Sequence, residues 1–200
     1  SGGGAISAVD GSKVTVNGGS AYIDSDSTSG RYIFYAYGEG SVITVNGGSY
    51  SWDPTDNLKR AYVYCAAGAK VIINDGTFGK ASTSGNYKAG IMGDGETIIY
   101  GGTFGFDPTK WVAPGCTVTK EGTNWVVKAP VVVEDAAGLA DAIANAEVGS
   151  TIALSENVNY GAVTAAELKY VTIKGAEGAV MIFKTTADSK LENVTLNGVN

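Results

Sequence analysis

Val16-Asn17-Gly18-Gly19 and Val45-Asn46-Gly47-Gly48 spell the same four letters, and two looser copies follow, Ile73-Asn74-Asp75-Gly76 and Ile99-Tyr100-Gly101-Gly102. Aligned on the last glycine of each phrase, Gly19, Gly48, Gly76 and Gly102, the copies lie 29, 28 and 26 residues apart. A period between about 20 and 50 residues marks stacked or radial repeats. The units carry the same parts in the same order. A first apolar run, RYIFYAYGEG at 31–40, RAYVYCAAG at 60–68 and YKAGIMGDG at 87–95, leads through a glycine bend to a second, KVTVNGG, VITVNGG, KVIINDG or ETIIYGG. A Ser/Thr-aromatic pair closes three of them: Ser49-Tyr50, Thr77-Phe78 and Thr103-Phe104.

Side chains of a strand alternate between faces, so Val14 and Val16 point one way and Thr15 the other. Ile43 and Val45, Val71 and Ile73, and Thr97 and Ile99 are the equivalents. One repeat cannot bury this face alone, but stacked repeats can, each strand bonding to the one above at about 4.8 Å. A propeller blade needs about four strands in roughly 40–45 residues. Two strands in the shorter period fit a parallel β-helix instead. Its corner would stack Asn17, Asn46 and Asn74 as an amide ladder, and the glycine that follows would take positive φ. Tyr50, Phe78 and Phe104 would stack just past it. The phrase is therefore architectural. A phosphate-cradling loop would need GxGxxG or GK[ST] before a helix, and neither occurs.

The pattern changes after Phe104. A turn at Asp107-Pro108 precedes two runs around EGTN, at 116–119 and 124–128, which read as a hairpin closing the stack with Trp111 and Trp125 over its end. Pro130 marks a boundary. In VVVEDAAGLADAIANAEVGSTIAL, Asp135 is an N-cap, Ala136, Leu139, Ala140 and Ile143 share a helical face, and Gly149 can end the helix. Strand phrases follow at 150–154, 170–175, 179–183 and 193–198. The expected fold is all-β: a parallel β-helix (β-solenoid) in two consecutive segments, residues 1–129 ending in the hairpin and residues 130–200 starting with a short capping helix over about 136–147. The chain reads as a section of something longer.

Composition agrees. The 200 residues are 44% hydrophobic and 17% charged, with 29 Gly. That is too apolar for disorder, and the glycines lack the period of three of collagen. Tyr, Val, Ile and Thr favour strands. The net charge of −6, with no run of Lys or Arg, gives no electrostatic footprint for nucleic acid. No apolar stretch reaches the ~18 residues of a membrane span.

The chain contains no His. This removes His-based triads, His zinc sites and the usual general base near neutral pH. Cys65, in an apolar run, and Cys116 read as buried free thiols, with a disulfide between them as the alternative. Asp24, Asp26, Asp53 and Asp56 sit in loops, and Arg31 and Arg60 occupy similar places in successive units, where they would stack at a solvated polar edge. Asp24, Asp26 and Thr28 in DSDSTSG resemble part of a Ca²⁺ loop, but Tyr35 stands where the twelfth-position carboxylate belongs. No other cofactor is implied. Tyr22, Trp52, Tyr87 and Phe106, in or beside loops, are the candidate glycan-binding rings, since sugars stack on aromatic faces.

Residues 131–200, with a helix leading into GSTIAL, resemble the start of a pectate-lyase-like right-handed parallel β-helix. Residues 41–128, with GGTF, DPTKWVAPG and TNWVV, resemble repetitive surface proteins of gut bacteria and the fibre or spike proteins of their bacteriophages. That fold carries enzymes, adhesins and virion fibres alike. The resemblance implies a β-helix of an extracellular fibre or spike, on a virion or a bacterial cell surface, and with no His and no assembled catalytic group in the sequence the expected function is non-catalytic, structural and adhesive. Its expected partners are a cell-surface glycan or host receptor and other fibre subunits, as a homotrimer in the virion case. The alternative is a fragment of a polysaccharide lyase or hydrolase whose active site lies beyond Asn200.

Overall fold

The computed structural model describes the chain except residues 1–2, 24–30, 53–59, 82–89, 148, 165–166, 170, 185–189, 193–194 and 198–200. It is a β-protein with a single α-helix and one 3-10 turn, Thr109–Trp111, among the described residues. It divides into two compact units, Ser1–Pro114 with Val118–Val127, and Gly115–Thr117 with Lys128–Asn200. Among the described residues no helix is long and apolar enough to cross a membrane.

The first unit holds β1 (Gly3–Val9), β2 (Lys13–Val16), β3 (Ser20–Ile23), β4 (Arg31–Tyr37), β5 (Val42–Trp52) and β6 (Arg60–Cys65). Then come β7 (Lys70–Lys80), β8 (Ile91–Met92), β9 (Glu96–Ile99), β10 (Gly102–Gly105), β11 (Thr117–Glu121) and β12 (Asn124–Lys128). The first apolar runs of the repeats form one sheet, β1-β4-β6-β8, and the second runs form another. In that second sheet β2 and β3 both pair with β5, while β7 pairs with β5, β9 and β10. All these pairings are parallel, and their register is the repeat itself. Val14 faces Ile43, Ile43 faces Val71 and Val71 faces Thr97; Val16, Val45, Ile73 and Ile99 form the next row. Since strand side chains have period two, this register turns every second residue inward together.

At the corner the backbone register of β5 on β7 shifts by one, Asn46 lying opposite Asp75, but the side-chain amides still line up. Asn46 Nδ2 donates to Asn17 Oδ1 at 2.8 Å, and Asn74 Nδ2 donates to Asn46 Oδ1 at 2.8 Å. The glycine that closes each phrase has φ of +98°, +114°, +140° and +122° in turn. At Gly48 a methyl group would also strike the Tyr50 hydroxyl and lie 2.9 Å from the Gly19 carbonyl. Tyr50 Oη donates to the Gly47 carbonyl at 2.6 Å, which ties the ring back to its own corner. Beneath it the Tyr50 and Phe78 rings lie 5.1 Å apart and those of Phe78 and Phe104 4.8 Å apart, the latter within 6° of parallel.

Ile43, Val45, Val71, Ile73 and Ile99 are fully buried. Val14 and Val16, expected with them, are only half-buried, because β2 is the last strand of its sheet path and pairs only with β5. The other end is closed differently. The β11–β12 hairpin adds β12 antiparallel to β10, Phe104 facing Trp125, and Ala113 N donates to the Ile99 carbonyl at 2.8 Å. Trp111 and Trp125 are half-buried there, with the Lys110 and Lys120 ammoniums each 5.3 Å from a ring centroid. A paired or covered edge offers no template to another chain.

The second unit contains β13 (Val131–Val133), α1 (Ala136–Ala144), β14 (Thr151–Leu154), β15 (Asn159–Thr164) and β16 (Glu167–Lys169). It continues with β17 (Thr172–Lys174), β18 (Val180–Lys184), β19 (Lys190–Glu192) and β20 (Thr195–Asn197). Three parallel sheets result, β13-β14-β17-β20, β15-β18 and β16-β19. The row Val131, Ile152, Ile173, Leu196 steps by 21, 21 and 23 residues, a shorter repeat than in the first unit and not anticipated from the sequence. Tyr160 is buried, and its hydroxyl donates to the Val133 carbonyl while accepting from Ser155 N at 2.7 Å.

Asp135 caps α1 as expected, accepting from Gly138 N at 2.7 Å. The helix ends at Ala144 with Asn145 as its cap; Gly149, with φ +82°, turns the chain into β14 rather than ending the helix. Its buried face is Leu139 and Ile143 with Ala142 and Ala146 beside them, whereas Ala136 and Ala140 face solvent. The stripe is rotated because α1 packs on β13, β14 and β15 through Leu139 and Ile143.

The corner glycine gives a stability test. Gly48→Ala is expected to lower stability by about 2 kcal/mol or more, from the positive φ and the clash together. Gly18→Ala, where a methyl group meets nothing within 4 Å, should be nearly neutral. Urea denaturation of both variants measures the difference. Equal midpoints would contradict the corner geometry.

Candidate functional site

The expected glycan-binding rings separate into different environments. Tyr22 on β3 is 60% exposed. Trp52 and Phe106 are 6% and 7% exposed and sandwich Tyr62, the ring centroids being 3.8 and 5.6 Å from it. They are core residues and present no free face. The reason is period two: Trp52 is in phase with Tyr50 on β5, and Phe106 with Phe104, so both inherit the inward direction. Tyr87 lies outside the described residues, as do Asp24, Asp26 and Thr28 of the calcium loop and Asp53 and Asp56. Among the described residues no group of three or more acids and cysteines is placed to hold a metal ion. The two arginines do pair in register, Arg31 with Arg60. Arg60, however, is buried and donates from Nη1 to the Ile23 carbonyl at 3.3 Å, so it belongs to the interior rather than to a solvated edge. Both thiols are free; Cys65 is buried and Cys116 half-buried.

A different group of rings comes together on the β1-β4-β6-β8 sheet. Phe34, Ala36, Val63 and Cys65 are buried on its inner side. Alternating with them, Tyr35 and Tyr64 stand opposite one another in register, with Ser7 on β1 and Met92 on β8 at the ends of that row. Tyr37 stands opposite Val9 in the next row, and both are exposed. Tyr35 is the hub. Its ring centroid is 5.3 Å from Tyr64, 6.0 Å from Tyr37 and 5.9 Å from Tyr32, at interplanar angles of 14°, 7° and 29°. Tyr32 also meets Tyr64, at 5.0 Å. Neither stretch that supplies the rings, YIFYAY at 32–37 and AYVYC at 61–65, contains a charged residue. The sequence held the signal in Tyr35 and Tyr64, which repeat across one 29-residue interval, with Tyr37 two positions beyond Tyr35. As sequence, these stretches show only apolar character.

The second unit has an open cleft of about 500 Å³ lined by Val131, Val132, Glu134, Asp135, Asp141 and Asn145, among others. Asp135 is occupied by the helix cap.

Burial raises the Tyr50 and Tyr62 phenols above the ordinary tyrosine range, Tyr62 most strongly. Tyr35 is also raised, by burial first and then by Tyr64 and Tyr37. A tyrosine whose folded pKa is raised stays protonated while the unfolded chain ionises. Its stabilisation is whole below about pH 10 and is lost as pH climbs through the folded value. Stability should therefore fall in alkali. Tyr62→Phe, at a cost of about 1 kcal/mol for the lost bond to the Lys80 carbonyl, should flatten that fall. Urea midpoints measured across alkaline pH test this; an identical slope in Tyr62→Phe contradicts it.

No family model, curated protein or solved structure matches the chain.

Proposed function

We propose that the chain is a non-catalytic, structural and adhesive section of an extracellular fibre or spike, built as two parallel β-solenoid segments, the second of the pectate-lyase-like type with α1 as its cap. The observation that carries the reading is the register. In the first unit equivalent strands pair at the repeat spacing in both sheets, so successive repeats lie in the same order on each. In the second, three parallel sheets gain strands in sequence order, the arrangement of a three-sided coil. α1 packs against the first strand of two of these sheets, where a cap belongs.

The polar side chains of the first unit's corners bond mainly to one another and to backbone. Ser41, fully buried, donates to the Tyr37 carbonyl at 2.8 Å and accepts from Gly11 N at 3.0 Å, bridging two successive bends. A ladder that satisfies nearly every backbone group opens rarely, which suits an exposed, protease-rich setting such as a virion or a bacterial cell surface. Within this reading the solvent-facing tyrosines are the place of adhesion, and other fibre subunits are the structural partners.

The test is turnover. The chain is incubated with neutral and acidic polysaccharides, and reducing ends and unsaturated products are measured. No product is expected. Chain cleavage would overturn the structural reading in favour of a lyase or hydrolase.

A further inference from the structure

The geometry points to a carbohydrate-binding strip on the outer side of the β1-β4-β6-β8 sheet, centred on Tyr35 and completed by Tyr37 and Tyr64, with the buried Tyr32 bracing Tyr35 and Tyr64, that takes a neutral pyranose chain. The inference rests on the reading of the chain as an adhesive section and names the surface that adheres.

Ring chemistry is the first argument. The four clustered rings of this side are all tyrosines, whereas the interior mixes phenylalanines at 34, 78, 104 and 106 with the buried Tyr50, Tyr62 and Trp52. A solvent-facing tyrosine offers an apolar ring with a hydroxyl at its rim. A pyranose divides in the same way, with C–H faces and a rim of hydroxyls, so one contact desolvates apolar surface while the hydroxyls pair. Charge is the second argument. Between the rings there is no Lys, Arg, Asp or Glu; of the arginines that open the two strands, Arg60 is buried and Arg31 lies at the strand end, so no counter-charge for a phosphate or uronate stands among the rings. The raised Tyr35 phenol stays a neutral donor at physiological pH.

Size excludes a protein as the occupant. Tyr37 is 52% exposed, Tyr32 only 8%, and Tyr35 and Tyr64 are half-buried. Side chains of about 150–250 Å² at such exposures leave far less than the ~800 Å² per partner that a stable protein interface covers. The area suits a short run of sugar rings. Rigidity is the last argument. Tyr35 is braced by three other rings and by a ladder on each side, so binding costs little side-chain entropy.

Isothermal titration of the whole chain with neutral hexasaccharides of glucose, mannose, galactose and N-acetylglucosamine, and with oligogalacturonate as the acidic comparison, tests the site. At least one neutral probe is expected to bind. Tyr37→Ala and Tyr35→Ala should each weaken it about fivefold or more, and Tyr64→Phe, which keeps the ring, should weaken it less. Tyr100→Ala, away from the strip, should leave it unchanged. Tyr35→Leu replaces Tyr35→Ala if circular dichroism shows that the latter does not fold. The proposal is overturned if no neutral probe binds, if only oligogalacturonate binds, if natively folded Tyr35 and Tyr37 variants bind as the parent does, or if Tyr22→Ala alone abolishes binding. Chromatography of the recovered probe separates the two readings. A bound but shortened probe overturns the non-catalytic function and leaves the site standing. An intact, unbound probe overturns the site and leaves the structural function standing.

Discussion

The amide chain from Asn74 through Asn46 to Asn17 fixes the first unit in one register, and most of what surrounds it follows from that registration. Two side-chain amides meet at 2.8 Å only if their strands are aligned at one repeat. At the corner the backbone pairing shifts by one, Asn46 lying opposite Asp75, and the amides still meet; within the strands a slip of one residue would turn the valine and isoleucine rows outward. The glycine that closes each phrase is part of the same constraint. Its positive φ brings the chain around the corner, and its missing side chain leaves room for the aromatic ring below. Amide, glycine and ring therefore form one device, complete at the two middle levels. The first level lacks the ring, having Ala21 opposite Tyr50, and the last replaces the amide with Tyr100.

What the register buries on one side it displays on the other. Aligning Phe34 with Val63, and Ala36 with Cys65, leaves Tyr35 aligned with Tyr64 on the opposite side of the same two strands. The surface rings are thus as ordered as the core rings, without any loop to position them. Loops usually carry binding residues because they escape the demands of packing. In a ladder, an outward row can do so as well, because repetition supplies neighbours at fixed spacing.

Much of this architecture was legible because repetition amplifies weak signals. One Val-Asn-Gly-Gly is a turn; four copies at nearly constant spacing specify stacking, and from stacking the asparagine and Tyr50–Phe78–Phe104 columns follow. The failures share a cause. Trp52 and Phe106 were placed with the loops because polar stretches lie next to them, although counting by twos from Tyr50 and Phe104 sends them inside. β1 lies outside the glycine phrases, and in the second unit only VTIKG at 171–175 and VTLNG at 194–198 repeat one, so the pairing of β1 and the 21-residue steps from Val131 to Ile152 to Ile173 are revealed only by the strands. The helical face was misjudged because alanines at 136, 140, 142 and 146 fit either stripe, and the choice between them is made by what the helix packs on. For the outer tyrosines, hydrophobicity alone cannot tell an inward ring from an outward one. Nor can the hydroxyl, since Tyr50 and Tyr62 are buried with theirs bonded to backbone carbonyls; only strand pairing separates the two sets.

The central claim is that successive repeats pair in parallel, one repeat apart, with the asparagines in line. Cross-strand nuclear Overhauser effects in the folded chain measure it most directly. The account predicts contacts between the backbones of Val14 and Ile43, of Ile43 and Val71, and of Val71 and Thr97, together with side-chain amide contacts from Asn46 to both Asn17 and Asn74. Antiparallel contacts between these strands, or a parallel set displaced by one residue, would contradict it.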